Sequence, residues 1–498
     1  MMQVQEELRM LTEKLRADGL SELRYTLRRT KLRTTAVRRG ESRGRTDAED
    51  LQLSVTGMYH GKRAMCSFSG IPNAETASVL LRESAQVQET ERSCAGALQE
   101  AKAGTETGDV KRPAGALEAE NLQESAKTLE MKKIQGSAGT SATGLSQEKA
   151  AMAAEKAPQT FSWEAHEAVC ARLLQAEACG YEVSETALVE NCRYEQCLEE
   201  FWIYAEDGSL LLSDASGYRC MRTAVMAEKD GSREYTGACR YGKCLTDTEP
   251  EALVRETAEE AAGGLFGKSL SSGVYRVILK NSVAAELLEA YLPAFYQSRV
   301  KDEQSALCGR TKPAAAAFLS LREEPELAAG RVTRRVDDEG TPVSEKYLMR
   351  NGNVETLLSK SPEKAGEPES TGNGFQPDPQ SDVETGVTNV ILESDSAHQK
   401  TQAELFSALS NGLYVTGIDG TFAGTNGKTG HFSLIARGQV IKDGKPAGAF
   451  REVTIAANFF DMLCRVTAAG NVCAATAPDM ACVLAPALLT EDIVVSGL

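Results

Sequence analysis

The chain has 498 residues, 42% hydrophobic and 25% charged, which is enough apolar material for about three domains of roughly 150 residues each. Its net charge of −16 argues against a general nucleic-acid binder, because phosphate contacts need Lys and Arg in excess. No stretch approaches the roughly 20 consecutive apolar residues of a membrane span, and the opening MMQVQEELRM carries two acids and no apolar run, so a soluble cytoplasmic protein without a secretory signal is expected.

The predicted elements give an α+β chain: an N-terminal α/β region with a mixed sheet and a β-rich C-terminal domain. Its units are an N-terminal α+β region at 1–90, a linker or insertion at 91–160, a strand-rich region at 161–268 and a β-rich domain at 269–498. The first forty-five residues hold twelve Lys and Arg against six Asp and Glu. There LRYTLRRTKLRTTAVRRG alternates as a half-buried strand does, and its arginines read as the solvated basic face of a sheet. A turn at His60-Gly61-Lys62 predicts a hairpin. Only eight of the sixty residues at 101–160 are Val, Ile, Leu or Met and none is aromatic, too little apolar surface to offset ordering entropy, although some helix is expected at Gly115 to Lys133. SWEAHEAVCARLLQAEACG predicts a helix ending near Gly180. Successive strands follow over Tyr181 to Tyr241, with turns at Asp207-Gly208 and Asp230-Gly231, and then a helix over Pro250 to Ala262. From Ser271 the chain reads as a strand, a helix kinked at Pro293, a hairpin turning at Asn351-Gly352 and a Pro/Gly/Ser-rich loop. Beyond Gly386 come strands with a turn at Asp443-Gly444 and a helix near Asn458 to Ala468. No internal repeat is visible.

Several motifs carry candidate chemistry. GTNGKT, Gly424 to Thr429, resembles a phosphate-cradling loop, so a nucleotide-binding, ligase-like protein is the alternative reading. Such a loop is normally followed by a helix, whereas HFSLIARGQVIKDGK predicts strands here. His166 and Cys170, at i and i+4, have ligand spacing on one helix face with Glu167 as a candidate general base, but no third zinc ligand lies nearby, and the four histidines are far apart in sequence. The thirteen cysteines contain no CxxC pair and read as reduced thiols. Cys192 with Cys197, and Cys239 with Cys244, would point to opposite faces of their strands. Asp337, Asp338 and Glu339 before Gly340 read as a solvated turn, with general acid-base chemistry as the sharper possibility.

NGLYVTGIDGTFAGTNGKTGHFSLIARGQVIKDGKPAGAFREVTIAANFFDMLCRV and the closing LAPALLTEDIVVSGL resemble the C-terminal domain of the TldD/PmbA family. VDDEGTPVSEKYLMRNGNVETLL and STGNGFQ, Ser370 to Gln376, are similar to that family's acidic hairpin and STGNA-type loop. The resemblance implies a two-chain zinc peptidase that trims unfolded or extended peptides. In that pair the TldD-like chain carries HExxxH and the PmbA-like (TldE-like) chain lacks it. On the matching segment, Leu287 to Val300, this chain has Glu289, Ala290 and Pro293 in place of the motif. The resemblance therefore implies a PmbA-like subunit with no catalytic residue, metal ligand or cofactor of its own. Zinc is expected in a TldD-like partner, and a peptide is the expected substrate. It also implies that Ser370, Thr371 and Asn373, with Thr425, Asn426, Thr429 and Gly430, face the peptide or the partner.

Overall fold

The computed structural model describes residues 2–85, 161–327, 330–362, 369–377, 381–477 and 481–497. The linker expected at 91–160, with its helix at Gly115 to Lys133, lies outside them. Six long strands make the N-terminal sheet: β1 Leu20–Arg38, β2 Glu41–Tyr59, β3 Lys62–Ser69, β4 Ala187–Tyr204, β5 Leu210–Lys229 and β6 Ser232–Gly242. All neighbours are antiparallel, in the order β3-β2-β1-β4-β5-β6, so the mixed sheet expected here is not formed: hairpin turns, not helical crossovers, join the strands within each half. The alternation in LRYTLRRTKLRTTAVR is the pleat of β1, whose odd positions Tyr25, Leu27 and Val37 are buried.

A repeat does emerge, in topology. The helix Met2–Ala17, three strands and a helix at 74–85 are followed by the helix His166–Val183, three strands and the helix Pro250–Gly263. The two runs meet where β1 pairs β4, from Tyr25↔Tyr204 to Val37↔Cys192. Each run buries its own core. Leu8, Leu11, Leu15, Tyr25, Leu53 and Leu81 make one, and Val169, Leu173, Val189, Tyr194, Leu253 and Val254 make the other.

The turn chemistry is legible. His60-Gly61, Asp230-Gly231, Asn351-Gly352 and Asp443-Gly444 all have positive φ at both residues, the two-residue geometry that suits strand twist. Gly180 does not end its helix, which runs to Val183. A Cβ there would stand 2.7 Å from Val189 and 2.8 Å from Val254, so this glycine permits close packing of the helix on sheet and neighbour.

The C-terminal body contains β7 Gly273–Leu279, β8 Leu319–Glu323, β9 Lys346–Arg350, β10 Asn353–Val354, β11 Gly374–Phe375, β12 Glu384–Thr385, β13 Asn389–Ser394, β14 Gln399–Lys400, β15 Gly412–Asp419, β16 His431–Lys442, β17 Lys445–Asn458, β18 Ala468–Ala475 and β19 Cys482–Ser496. Strands β7, β15, β16, β17 and β19 form a closed ring, because β19 pairs with both β17 and β7. From β19 the sheet extends through β13, β8 and β9 to β10. The helix Asn281–Tyr291 buries Leu287, Leu288 and Tyr291 in the same core as Val277, Phe450, Phe459 and Phe460. The helix predicted to kink at Pro293 instead ends at Tyr291, and Pro293, which has no N–H to continue the ladder, lies in the 3₁₀ turn Leu292–Phe295 that follows. The content is α+β and strand-rich, as expected.

Residues 331–338 hold the two bodies together. Thr333 N–H donates to Ser216 Oγ at 2.9 Å, Arg335 binds Asp214 at 2.9 Å, and Val336 packs with Phe201, Ile203 and Leu212.

Candidate functional site

The segment Leu287 to Val300 contains neither His nor Cys. On the helix Asn281–Tyr291, the Glu289 carboxylate accepts the Ala481 N–H at 2.7 Å. One turn earlier, burial pushes the Glu286 carboxyl up, and Thr421 Oγ1 donates to it at 3.4 Å. Among the described residues no group of three or more His, Cys, Asp or Glu side chains could hold a metal. The residues at this helix therefore do not fit a zinc ion. Two of the histidines are engaged locally. His166 Nδ1 pairs with Thr35 Oγ1 at 3.2 Å, and His398 stacks on Phe318 while its Nδ1 pairs with Asp395 at 2.6 Å. Cys192 and Cys197 lie opposite Val37 and Leu32, positions of different parity and so on different faces, and burial pushes their thiols up to about 12 and about 11.

Two loops flank the turn after that helix. Tyr291 O–H donates to the His431 carbonyl at 2.8 Å, where the 425–430 loop ends. On the other side, Gln297 N–H donates to the Leu358 carbonyl and Leu358 N–H to the Phe295 carbonyl, both at 2.8 Å, next to Ser359, on which the 370–373 loop rests.

The 370–373 loop is tightly bonded. Thr371 Oγ1 accepts Ser359 N–H at 2.8 Å and donates to Asn373 Oδ1 at 2.8 Å. Ser370 Oγ accepts Gly372 N–H at 3.1 Å. Gly372 has φ +75°, and a Cβ there would run into the Pro342 carbonyl oxygen, so glycine is required by both conformation and space. Ser370 and Thr371 are half-buried, whereas Asn373 is 0% exposed. Asn373 Nδ2 donates to both Glu323 oxygens at 3.0 Å, and Lys346 Nζ donates to Asn373 Oδ1 at 3.1 Å and to Glu323 Oε2 at 2.9 Å. Thr388 N–H completes the shell of Glu323 at 2.7 Å.

In the 425–430 loop, Asn426 Oδ1 accepts the N–H groups of Lys428 and Thr429 at 3.1 and 3.0 Å, and its carbonyl accepts Gly430 N–H at 2.8 Å. The donors a phosphate would need are thus consumed inside the loop, and β16, a strand, follows at His431. Thr425 is half-buried, Asn426 and Thr429 are exposed, and Gly430 is buried against Asn458.

The acidic hairpin corrects the sequence reading. Asp337 and Asp338 are 0% and 6% exposed, so this is no solvated turn. Asp337 accepts the N–H groups of Glu339, Thr341 and Gly374 at 3.0, 2.7 and 3.0 Å. Asp338 binds Arg334 at 2.6 Å and Arg28 at 3.2 Å and accepts Gln376 N–H at 2.8 Å. Arg334 lies over the Phe201 ring, 4.1 Å from its centroid. Arg24 Nη2 reaches the Asp338 carbonyl at 3.4 Å. The basic face read into β1 is therefore largely paired: Arg28 to Asp338, Arg29 to Glu200 and Arg33 to Asp47. The available signal was that excess of arginine, which called for acids brought from elsewhere in the chain. Glu323 and Lys346 gave no signal, since each stands at a strand end among other charges, Arg322 and Glu324 beside one and Glu345 beside the other.

The described site is thus two loops beside a helix end, with the 370–373 loop braced from below by buried ion pairs. A family model described as the PmbA/TldA metallopeptidase C-terminal domain matches residues 272–497. The chain is 24% identical over 273 residues to the Metalloprotease PmbA of Escherichia coli O157:H7, covering 54% of this chain and 57% of that one. It is 24% identical over 297 residues to the Metalloprotease PmbA homolog of Haemophilus influenzae, covering 58% and 62%. These alignments thus span less than two thirds of either relative. The crystal structure of TldE from Thermococcus kodakarensis superposes with a TM-score of 0.72 at 17% identity, covering 99% of this chain and 100% of that one, a likeness of fold.

Proposed function

Because this chain belongs to the PmbA/TldD family, we propose that it is the non-catalytic subunit of a heteromeric, cytoplasmic metallopeptidase of that type, acting on unfolded or extended peptides beside a zinc-bearing, TldD-like partner. The observation that carries the proposal is the helix Asn281–Tyr291 and the turn after it. No imidazole or thiol stands between Leu287 and Val300, and the Glu289 carboxylate is engaged by the Ala481 N–H. A mononuclear catalytic zinc needs three protein ligands and an open position, and this segment offers no such set. No chemical step is therefore assigned to this chain. Its contribution is shape: the rigid loops at 370–373 and 425–430 form walls against which an extended peptide lies, held through backbone hydrogen bonds. The exposed Asn426 and Thr429 are the side chains of those loops best placed to touch it.

The nucleotide-dependent reading is disfavoured by Asn426, which occupies the loop's own N–H groups. Co-expression with a TldD-like chain tests the proposal. Degradation of an unfolded polypeptide is expected only when both chains are present and to stop on chelation. Chelator-sensitive cleavage by this chain alone would overturn it.

A further inference from the structure

Strands β7, β19, β17 and β16 are neighbours in the C-terminal ring, and their registers align one row of side chains: Val274↔Val494, Val494↔Ala456 and Ala456↔Ser433. Two residues along, Thr454 on β17 and Ile435 on β16 make a second row. The alternate residues Leu434, Ile455 and Val495 are each 1% exposed in the core, so the pleat turns these six outward. Val274, Ile435 and Val494 are 64%, 56% and 47% exposed. None of the six carries a charge, in a chain that is 25% charged. Charges stand at the rim, with Asp419 paired to Ile435 on β15 and Asp492 two residues before Val494 on β19. An uncharged centre inside a charged rim is the anatomy of a protein–protein interface.

Phe422 extends the face. It is 96% exposed, on the short helix Thr421–Gly424 between β15 and β16. That helix is pressed against β16, since a Cβ on Gly424 would meet the Ser433 carbonyl oxygen at 2.3 Å and Leu434 Cδ2 at 2.8 Å. Four strands at a spacing of about 4.8 Å make the face about 15 Å wide. With one fully offered aromatic ring it has the size of the buried centre of an interface of about 800 Å² per partner.

Its position decides the occupant. Strand β16 leaves the 425–430 loop at His431, so Ser433 lies just beyond that loop and Phe422 just before it. The functional reading requires a zinc-bearing chain within reach of a peptide lying along Asn426 and Thr429. A chain docked on this face sits beside that loop, whereas a second copy of this chain would bring only another Leu287 to Val300 segment without His or Cys. We propose that the TldD-like partner docks here, packing an uncharged, apolar sheet face of its own against Val274, Val494, Ala456, Ser433 and Ile435, with Phe422 buried at the margin. The inference rests on the functional reading and adds to it the surface through which the pair assembles.

Co-expression with an HExxxH-bearing TldD-like chain, capture of that chain and sedimentation velocity of the product test it. The variants are Ile435→Asp with Val494→Asp, Phe422→Ala, and, as control, Tyr235→Asp at a 60% exposed position on β6. Circular dichroism of each variant alone reports whether it keeps its fold; should the double variant unfold, Phe422→Ala carries the test. The native chain and the control are expected to form the same one-to-one complex. The double variant should weaken it roughly a hundredfold or more, because two charges would be buried without partners, and Phe422→Ala roughly tenfold or more. A folded double variant, or Phe422→Ala, that assembles like the native chain would overturn the docking face and leave the functional reading standing. Failure of the native chain to assemble would overturn both. A native chain that dimerises by itself, through contacts the double variant abolishes, would assign the face to a second copy and overturn the proposal.

Discussion

Asp338→Ala is expected to cost roughly 3–5 kcal/mol of stability, because it strands Arg334 and Arg28 without their counter-charge at a site where water cannot replace it. Arg334 and Asp338 retain 6% and 3% of their side-chain surface. The loss should be local at first. Arg28 lies on β1 and the two partners lie in the 334–338 segment, so amide exchange in that segment should rise before the cores open. Urea unfolding and hydrogen exchange measure both effects, and an unchanged urea midpoint would contradict the account.

Acid titration separates the two neighbouring carboxyls. Burial alone would raise Asp338, but Arg334 and then Arg28 hold it below its ordinary 3.8. Its stabilisation is therefore full above that value and is lost as pH falls through the folded-state pKa. Burial pushes Asp337 the other way, to about 7. Its contribution is full below about 3.8 and is lost as pH rises towards 7. Asp338→Ala should thus flatten the acid limb of the stability profile and leave the limb between these two values in place.

Glu323→Ala is the second large effect, again about 3–5 kcal/mol. Glu323 is 0% exposed and accepts from Lys346, Asn373 and Thr388. Its removal takes the counter-charge from the Lys346 ammonium, leaving it only the Asn373 amide oxygen, and leaves Asn373 Nδ2 only the Gly386 carbonyl, so the 370–373 loop is released from below. Glu323→Gln keeps the shape and two of the donors' targets, so it should lose less. Thermal unfolding of the pair orders them, and equal losses would show that charge at this position is immaterial. Should Glu323→Ala melt with the native chain, the bracing role fails.

The strands and their turns were readable because pleat alternation and Xaa-Gly turns are local properties. His60-Gly61, Asp230-Gly231 and Asp443-Gly444 fall where the residues require them. Gly180 was misread because a glycine in close packing and a glycine at a helix end look alike in a sequence. The Asp337-Asp338-Glu339 run was misread for a related reason. Acids before a glycine suit a turn, and the turn is real, but the buried Asp338 is matched by Arg334 and by Arg28, the latter some three hundred residues away. Asn373 illustrates the same limit. Its loop was singled out by resemblance, yet its inward orientation depends on Glu323 and Lys346, which no local pattern connects to it.

The central claim is that this chain holds no zinc of its own, and elemental analysis of the chain purified alone, after mild dialysis against a weak chelator, tests it most directly. Zinc far below one per chain is the predicted result. One tightly held zinc per chain would contradict the account and turn attention to His166 and Cys170, at i and i+4 on the helix His166–Val183, with Glu167 beside them.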